Sequence, residues 1–121
     1  MNFELTNSQR EFRDHIRRLV QEVVAPRATA MEEAGAIDPD VIDALRAERF
    51  FALTIPAQYG GLDLDAITYC LAVEETARAS AAISIMISVH NSVCSYPVAR
   101  FGSEELKARV LPRLAAGGWV P

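Results

Sequence analysis

The side chains that most often perform catalysis are few and widely spaced in this sequence. The chain has two histidines, His15 and His90, and two cysteines, Cys70 and Cys94. Their spacing matches neither a Cys-x-x-Cys pair nor a zinc site, and no nucleophile is paired with a base. No Gly-x-Gly-x-x-Gly or P-loop segment is present to hold a phosphate. The residue types and their spacing therefore indicate no reaction and no metal site.

These side chains have simpler structural interpretations. We expect Cys70 and Cys94 to be buried free thiols in a reducing compartment, because they are only two and both have apolar sequence neighbours. A disulfide between them is the alternative. We expect His90 to be a polar side chain whose hydrogen bonds are satisfied within a packed core.

One pattern does point to a binding chemistry. Between Ala79 and Ala99, apolar residues recur at helical spacing and form a stripe along the helix: Ala82, Met86, Val89, Val93 and Tyr96. Such a stripe could line a tunnel for an aliphatic chain, because ligand pockets have apolar walls with few polar groups. The alternative is ordinary core packing. A neighbouring row of serines could be a cavity wall or a surface for close helix packing: Ser84, Ser88, Ser92 and Ser95.

The stretch from Ala79 to Ala99 also organises the rest of the chain. Its 21 residues contain no Asp, Glu, Lys or Arg, and that length is enough to span a bilayer. We exclude a membrane helix because seven polar side chains lie in this window and Pro97 interrupts it. We expect instead a central helix over about residues 80–100, bent near Pro97 and covered on all sides by other helices.

Residues that start helices precede each predicted helix, and residues that stop helices follow it. The starts are Thr6 with Gln9 as a capping box, Asp38 before Pro39, Asp63 or Asp65, Ser80, and Ser103 before two glutamates. The stops are Pro26, Gly35, Gly102 and the pair Gly117-Gly118. These signals divide the chain into five to six helices.

Two parts of the chain between these helices need separate predictions. We expect the helix that ends near Arg78 to bury four residues: Ile67, Cys70, Leu71 and Val73. The β-branched and aromatic segment 50–55 is predicted to be an extended connector outside any sheet, because no partner strand is evident. The following residues 58–61 are predicted to form a loop in which two glycines are free to take positive φ.

Composition limits the fold and the class of partner. A chain of 121 residues, half of them apolar and 23% charged, is long enough for one globular domain. The net charge is −4 with both signs interspersed, so nothing indicates nucleic-acid binding. The first residues lack the features of a signal peptide, and we expect a cytoplasmic protein. The predicted fold is an all-α bundle, orthogonal or up-down, with about five to six helices around the buried central helix.

The final residues differ in character from the helices before them. Trp119-Val120-Pro121 follows a Gly-Gly break, and its Trp-Val pair favours β structure. We therefore interpret residues 1–118 as the helical domain. We interpret residues 119–121 as the start of a missing middle β-domain.

Several local segments form a recognisable set along the chain: Phe3-Glu4-Leu5-Thr6, Ala25-Pro26-Arg27-Ala28, Leu53-Thr54-Ile55-Pro56 with Tyr59-Gly60-Gly61-Leu62, Val73-Glu74-Glu75, Ser88-Val89-His90-Asn91-Ser92, and Phe101-Gly102-Ser103-Glu104-Glu105. In this order and spacing they resemble the N-terminal helical domain of the acyl-CoA dehydrogenases over essentially the whole chain. The segment Pro-x-x-Tyr-Gly-Gly-Leu and the segment Phe-Gly-Ser-Glu-Glu together are the most specific part of the resemblance.

The resemblance implies a flavoenzyme with a helical N-terminal domain, a middle β-domain and a C-terminal helical bundle. Such enzymes bind FAD, usually as tetramers, and convert an acyl-CoA thioester to a trans-2-enoyl-CoA. A catalytic Glu removes the α-proton, the β-hydrogen leaves as hydride to the flavin, and electrons then pass to an electron-transferring flavoprotein. The catalytic Glu and the flavin contacts have no counterpart in this sequence. We therefore assign no catalytic and no FAD-binding residue here.

In this family the N-terminal domain also forms part of the wall around the acyl tail. By position, that wall falls on the central helix at four residues that we predict to bind substrate: Met86, Val89, Ser92 and Val93. The stretch Ser88–Ser92 is more similar to family members that act on short or branched acyl chains. The 121 residues alone are expected to be inactive, to lack stoichiometric flavin and to self-associate through exposed apolar surface.

Two other functions are compatible with the same residues. Flavin-dependent monooxygenases related to these dehydrogenases use the same N-terminal domain, and a Glu at the downstream base position would distinguish dehydrogenation from oxygen chemistry. The chain could also be a stand-alone helical module that binds an apolar ligand or a partner subunit.

Overall fold

The computed structural model describes residues 1–118, and helices make up most of this part of the chain. The α-helices are α1 (Asn7–Val23), α2 (Ala28–Ala34), α3 (Pro39–Ala47), α4 (Ala66–Ala79), α5 (Ala81–Ser88), α6 (Tyr96–Phe101) and α7 (Glu104–Ala115). A π-helical segment, Val89–Ser95, joins α5 to α6, so these three form one helical run. The described residues contain no strand, which confirms the all-α prediction. The predicted start of a β-domain at 119–121 lies outside the described residues.

Helix starts follow the predicted caps. The Thr6 hydroxyl accepts a hydrogen bond from the Gln9 backbone N–H, and the Gln9 side chain accepts one from the Thr6 backbone N–H. The other caps accept from a backbone N–H two or three residues further on: Asp38, Asp65, Ser80 and Ser103. Each cap satisfies a donor that the first turn of a helix leaves free. The local sequence therefore determines where these helices begin.

The connector at residues 50–55 is almost entirely buried in the core. Phe50, Phe51 and Ile55 are fully buried, and the chain here makes turns and bends, without the regular extended conformation that we predicted. Its backbone partners lie in the loop after Gly61: Leu62 N–H to Ala52 O, Asp63 N–H to Ile55 O, and Leu64 N–H to Leu53 O, at 2.8–3.0 Å. These bonds satisfy buried peptide groups that no neighbouring helix reaches.

The two glycines of this loop are required for different reasons. Gly60 has a φ of 87°, a left-handed conformation that glycine adopts without strain. Gly61 does not have a positive φ, contrary to the prediction. A Cβ at Gly61 would instead lie 1.7 Å from the Ile55 carbonyl oxygen. Only glycine allows the loop to approach the connector this closely.

The predicted inner face of α4 is partly wrong. Ile67 is 57% exposed and Cys70 is exposed, while Leu71 and Val73 are only half-buried. The buried side of α4 consists of other residues: Thr68, Ala72, Glu75 and Thr76. The polar members of this set are paired, and these hydrogen bonds offset the desolvation cost of facing the neighbouring helices α1 and α5.

We expected other helices to cover the central helical run on all sides, but one side of it is exposed. Four of its large apolar side chains are more than half exposed: Ile85 (62%), Val93 (65%), Tyr96 (54%) and Phe101 (81%). We predicted a bend near Pro97. The turns before it form the π-helical segment Val89–Ser95, and Pro97 cannot donate a backbone hydrogen bond to it. Both cysteines are free as predicted, but Cys70 is exposed and Cys94 half-buried. Among the described helices, none is long and apolar enough to span a membrane.

Candidate functional site

The candidate site is an apolar strip on the side of the central helical run that faces away from the core. We call it the outer stripe, and it consists of Ile85, Val89, Ser92, Val93 and Tyr96. Ile85, Val89 and Val93 are four residues apart, and Ser92 and Tyr96 have the same spacing beside them, which places all five on neighbouring turns. Val89 is half-buried and the other four are exposed.

On the opposite side of the run, His90 is fully buried. Its Nε2–H donates to the Leu114 carbonyl of α7 at 2.9 Å, and its ring meets Phe51 edge-on with centroids 5.0 Å apart. Nδ1 has no hydrogen-bond partner among residues 1–118, so the expectation of a satisfied side chain holds for one ring nitrogen. Burial lowers the pKa of His90 more than the Leu114 carbonyl raises it. A neutral ring at this position joins the run to α7.

Asn91 joins the same side of the run to the connector. Its Nδ2 donates to the Phe50 and Ile87 carbonyls, both at 2.9 Å, and its Oδ1 accepts from the Thr54 N–H at 3.3 Å. The Thr54 hydroxyl donates to the Asn91 carbonyl at 2.9 Å. The Ser95 hydroxyl donates to the His90 carbonyl at 2.7 Å. The polar side of the run is therefore fixed inward.

This inward anchoring determines where the predicted site residues lie. Val89, Ser92 and Val93 lie together on the outer stripe, and the Ser92 hydroxyl donates to the Ser88 carbonyl at 2.6 Å. Met86 is only 6% exposed and belongs to the core cluster, so it lies beneath the stripe. Ile85 was missed by the sequence analysis, although its spacing of four residues from Val89 could have indicated it.

Charged and polar groups elsewhere are used for structure. Glu75, 2% exposed, accepts two hydrogen bonds from the Arg17 guanidinium at 2.8 and 3.0 Å, and the Arg78 Nε lies 3.6 Å away. The hydrogen bond from Arg17 lowers the pKa of Glu75 despite its burial. No group of three or more potential metal ligands exists among residues 1–118. These pairs join α1 to α4 and do not form an acid–base site.

A cleft of about 320 Å³ lies beside the start of α5. It is lined by residues of α2, the loop after it and the first turn of α5, including Met31, Ile37 and Ala82. The four predicted site residues are not among its lining residues. The outer stripe is therefore an open surface of the described chain. Its mostly apolar side chains can bind an apolar group by contact.

Comparison with known proteins covers almost the whole chain. Residues 6–118 match the family model described as acyl-CoA dehydrogenase, N-terminal domain. The chain is 34% identical over 113 residues to an acyl-CoA dehydrogenase of Bacillus subtilis, which covers 93% of this chain and 30% of the relative.

Two solved structures have the same fold as this chain. Butyryl-CoA dehydrogenase from Megasphaera elsdenii gives a TM-score of 0.87 at 31% identity, covering 99% of this chain and 32% of that one. The structure of PigA with FAD and proline gives a TM-score of 0.88 at 28% identity, with the same two shares. The chain thus spans about a third of the length of the proteins that it matches.

Proposed function

The chain belongs to the acyl-CoA dehydrogenase family as its N-terminal domain, and from this premise we propose that it supplies one wall of the acyl-chain pocket of an FAD-dependent enzyme. In this proposal Val89, Ser92 and Val93 face the acyl chain, with Ile85 and Tyr96 extending the same stripe. Met86 lies behind them in the core and limits how far these side chains can move away from the acyl chain.

A single observation carries this proposal: the central helical run exposes a strip of large apolar side chains on the side that faces away from the core. Exposed large apolar residues that form a contiguous strip mark binding surfaces more often than scattered ones do. Since His90 and Asn91 are held inward by hydrogen bonds, the run cannot rotate to bury Val93 instead. The strip therefore faces whatever lies next to this domain.

The activity of the whole protein extends the proposal beyond these residues. The enzyme would oxidise an acyl-CoA thioester to a trans-2-enoyl-CoA and pass electrons to an electron-transferring flavoprotein. It would work in the cytoplasm as a homo-oligomer, expected to be a tetramer. Residues 1–118 would form the N-terminal domain, and residues 119–121 would lead into the β-domain.

The described residues do not by themselves fit a flavin. Most buried polar side chains among them are already paired within the domain: Glu75 with Arg17, Thr76 with Ala72, and Asn91 with Phe50 and Thr54. We therefore assign no FAD-binding residue to this part of the chain. The flavin, when bound, supplies the hydride acceptor, and this domain contributes the shape of the substrate pocket.

The test is the substitution Val93→Trp in the full-length parent enzyme. Because Val93 is exposed, the larger side chain can be accommodated without disturbing the core, but it shortens the proposed pocket. We expect kcat/KM for the longest accepted acyl-CoA to fall by about tenfold or more relative to the shortest. The measurement is kcat/KM over a series of saturated acyl-CoA substrates of increasing length.

A matched control is Gln21→Trp, which adds the same ring at an exposed position of α1. The control should leave the dependence on chain length unchanged. If Val93→Trp lowers kcat/KM equally for every substrate, the outer stripe is not part of the acyl pocket. Met86→Trp is a poorer test because Met86 is buried, and overpacking would affect folding.

A further inference from the structure

The connector provides a rigid reference for the outer stripe. Its backbone bonds to the loop at 62–64, and the Phe50 N–H donates to the Leu45 carbonyl at the end of α3. Phe50 and Phe51 are fully buried. A segment fixed on both sides in this way can determine the position of any element that bonds to it.

The π-helical segment is the element that bonds to this reference. Its register is visible where the Tyr96 N–H donates to the Asn91 carbonyl, five residues earlier. Such turns are rare in proteins and are frequently found at functional sites. The same Asn91 carbonyl also accepts the Thr54 hydroxyl at 2.9 Å. Asn91 therefore meets the connector with both its side chain and its backbone.

We propose that Asn91 is a positioning residue for the acyl pocket: it holds the π-helical segment against the connector and thereby sets where Val89 and Val93 stand. This inference rests on the proposed function of the outer stripe. Val89 and Val93 lie two residues to either side of Asn91, so a shift of its backbone moves both. Asn91 itself is fully buried and does not touch the substrate.

The first experiment uses Asn91→Ala in the full-length parent enzyme, with kcat/KM measured over the same series of acyl-CoA substrates. The substitution removes both bonds from Nδ2 and the acceptor for the Thr54 N–H. We expect discrimination between the preferred chain length and one two carbons longer to decrease by roughly tenfold, because the wall loses its fixed position.

The second variant, Thr54→Val, keeps the proposal testable if Asn91→Ala does not fold. It preserves shape and removes one hydrogen bond between the connector and the Asn91 carbonyl. Its matched control is Thr76→Val, which removes the Thr76 hydroxyl bond to the Ala72 carbonyl, 2.7 Å long, inside α4. We expect Thr54→Val to change the same discrimination about threefold and Thr76→Val to leave it unchanged.

The outcomes separate this inference from the function on which it depends. If Thr54→Val and Thr76→Val reduce kcat/KM by one common factor at every chain length, Asn91 has only a structural role and the inference is wrong. If Val93→Trp changes the chain-length profile while Asn91→Ala and Thr54→Val do not, the wall stands and only the positioning role fails. If Val93→Trp also changes nothing, the wall itself is wrong.

Discussion

The first three helices bury only apolar side chains, whereas the central helical run buries polar side chains beside Ile83, Met86 and Ile87. On α1, Ile16, Leu19 and Val20 are buried, and most of the arginines lie at the surface. On the central run, Ser84, His90, Asn91 and Ser95 are buried, while Ile85 and Val93 are exposed. The α4 helix resembles the run, since it buries Glu75 and exposes Ile67.

This difference shows which contacts each region has within the described chain. An amphipathic helix needs a partner for its apolar face, and for α1 that partner is the core of this domain. The run buries Ile83, Met86 and Ile87 in the same core, and its buried polar side chains have hydrogen-bonded partners. The outer stripe stays largely exposed among residues 1–118. The first three helices therefore pack their apolar residues against their own chain, whereas the run leaves a second apolar face uncovered in this part of the chain.

The largest difference in stability between the two regions should appear when one apolar side chain is truncated in each. Leu45→Ala on α3 removes a fully buried side chain and should cost about 3 kcal/mol of unfolding free energy. Ile85→Ala on the outer stripe should cost less than about 0.5 kcal/mol. Urea denaturation of the 121-residue chain measures both. Equal losses of unfolding free energy would show that Ile85 is packed as tightly as Leu45 and that the outer stripe is part of the core.

A smaller effect should come from the buried carboxylate of α4. Glu75→Gln should cost about 1–2 kcal/mol at pH 7, below the range for fully buried pairs because Arg17 is half-exposed. Because the pKa of Glu75 is lowered in the folded state, its stabilisation is present above the unfolded pKa of about 4.3. This stabilisation is lost as pH falls through the pKa of Glu75 in the folded state. The difference in unfolding free energy between variant and wild type should therefore shrink there.

Glu74→Gln is the control for this prediction, because Glu74 lies next in sequence and is exposed. Its i, i+4 ion pair with Arg78, 3.1 Å long, should contribute less than about 0.5 kcal/mol. The measurement is urea denaturation from pH 7 to pH 3. If Glu75→Gln loses no more unfolding free energy than Glu74→Gln, the buried carboxylate does not stabilise α4 against α1.

The smallest change in stability should come from adding charge to the outer stripe. Ile85→Lys with Val93→Lys should alter unfolding free energy by less than about 1 kcal/mol, because both side chains are exposed. If the stripe is a contact face, the pair should also reduce self-association of the 121-residue chain, measured by sedimentation velocity. Gln21→Lys with Thr29→Lys, at exposed positions of α1 and α2, adds the same charge elsewhere and is the control. An unchanged association would mean that another surface holds the copies together.

Local signals in the sequence predicted much of the fold. The caps at Thr6, Asp38, Ser80 and Ser103 act within three residues, so neighbouring sequence is sufficient to place them. The α1 face was also predictable, because its apolar residues repeat with the helical period and face this domain's own core. The three predicted site residues on the outer stripe share one side for the same periodic reason.

The sequence by itself determined where most of the helices begin, because capping depends on residues a few positions apart. Only the tertiary structure decided which side of α4 and of the central run faces inward. Those choices depend on Arg17 with Glu75, 58 positions apart, and on Asn91 with Phe50, 41 positions apart. A hydrogen bond between distant residues can make a polar face the buried one, and periodicity alone contains no information about that partner.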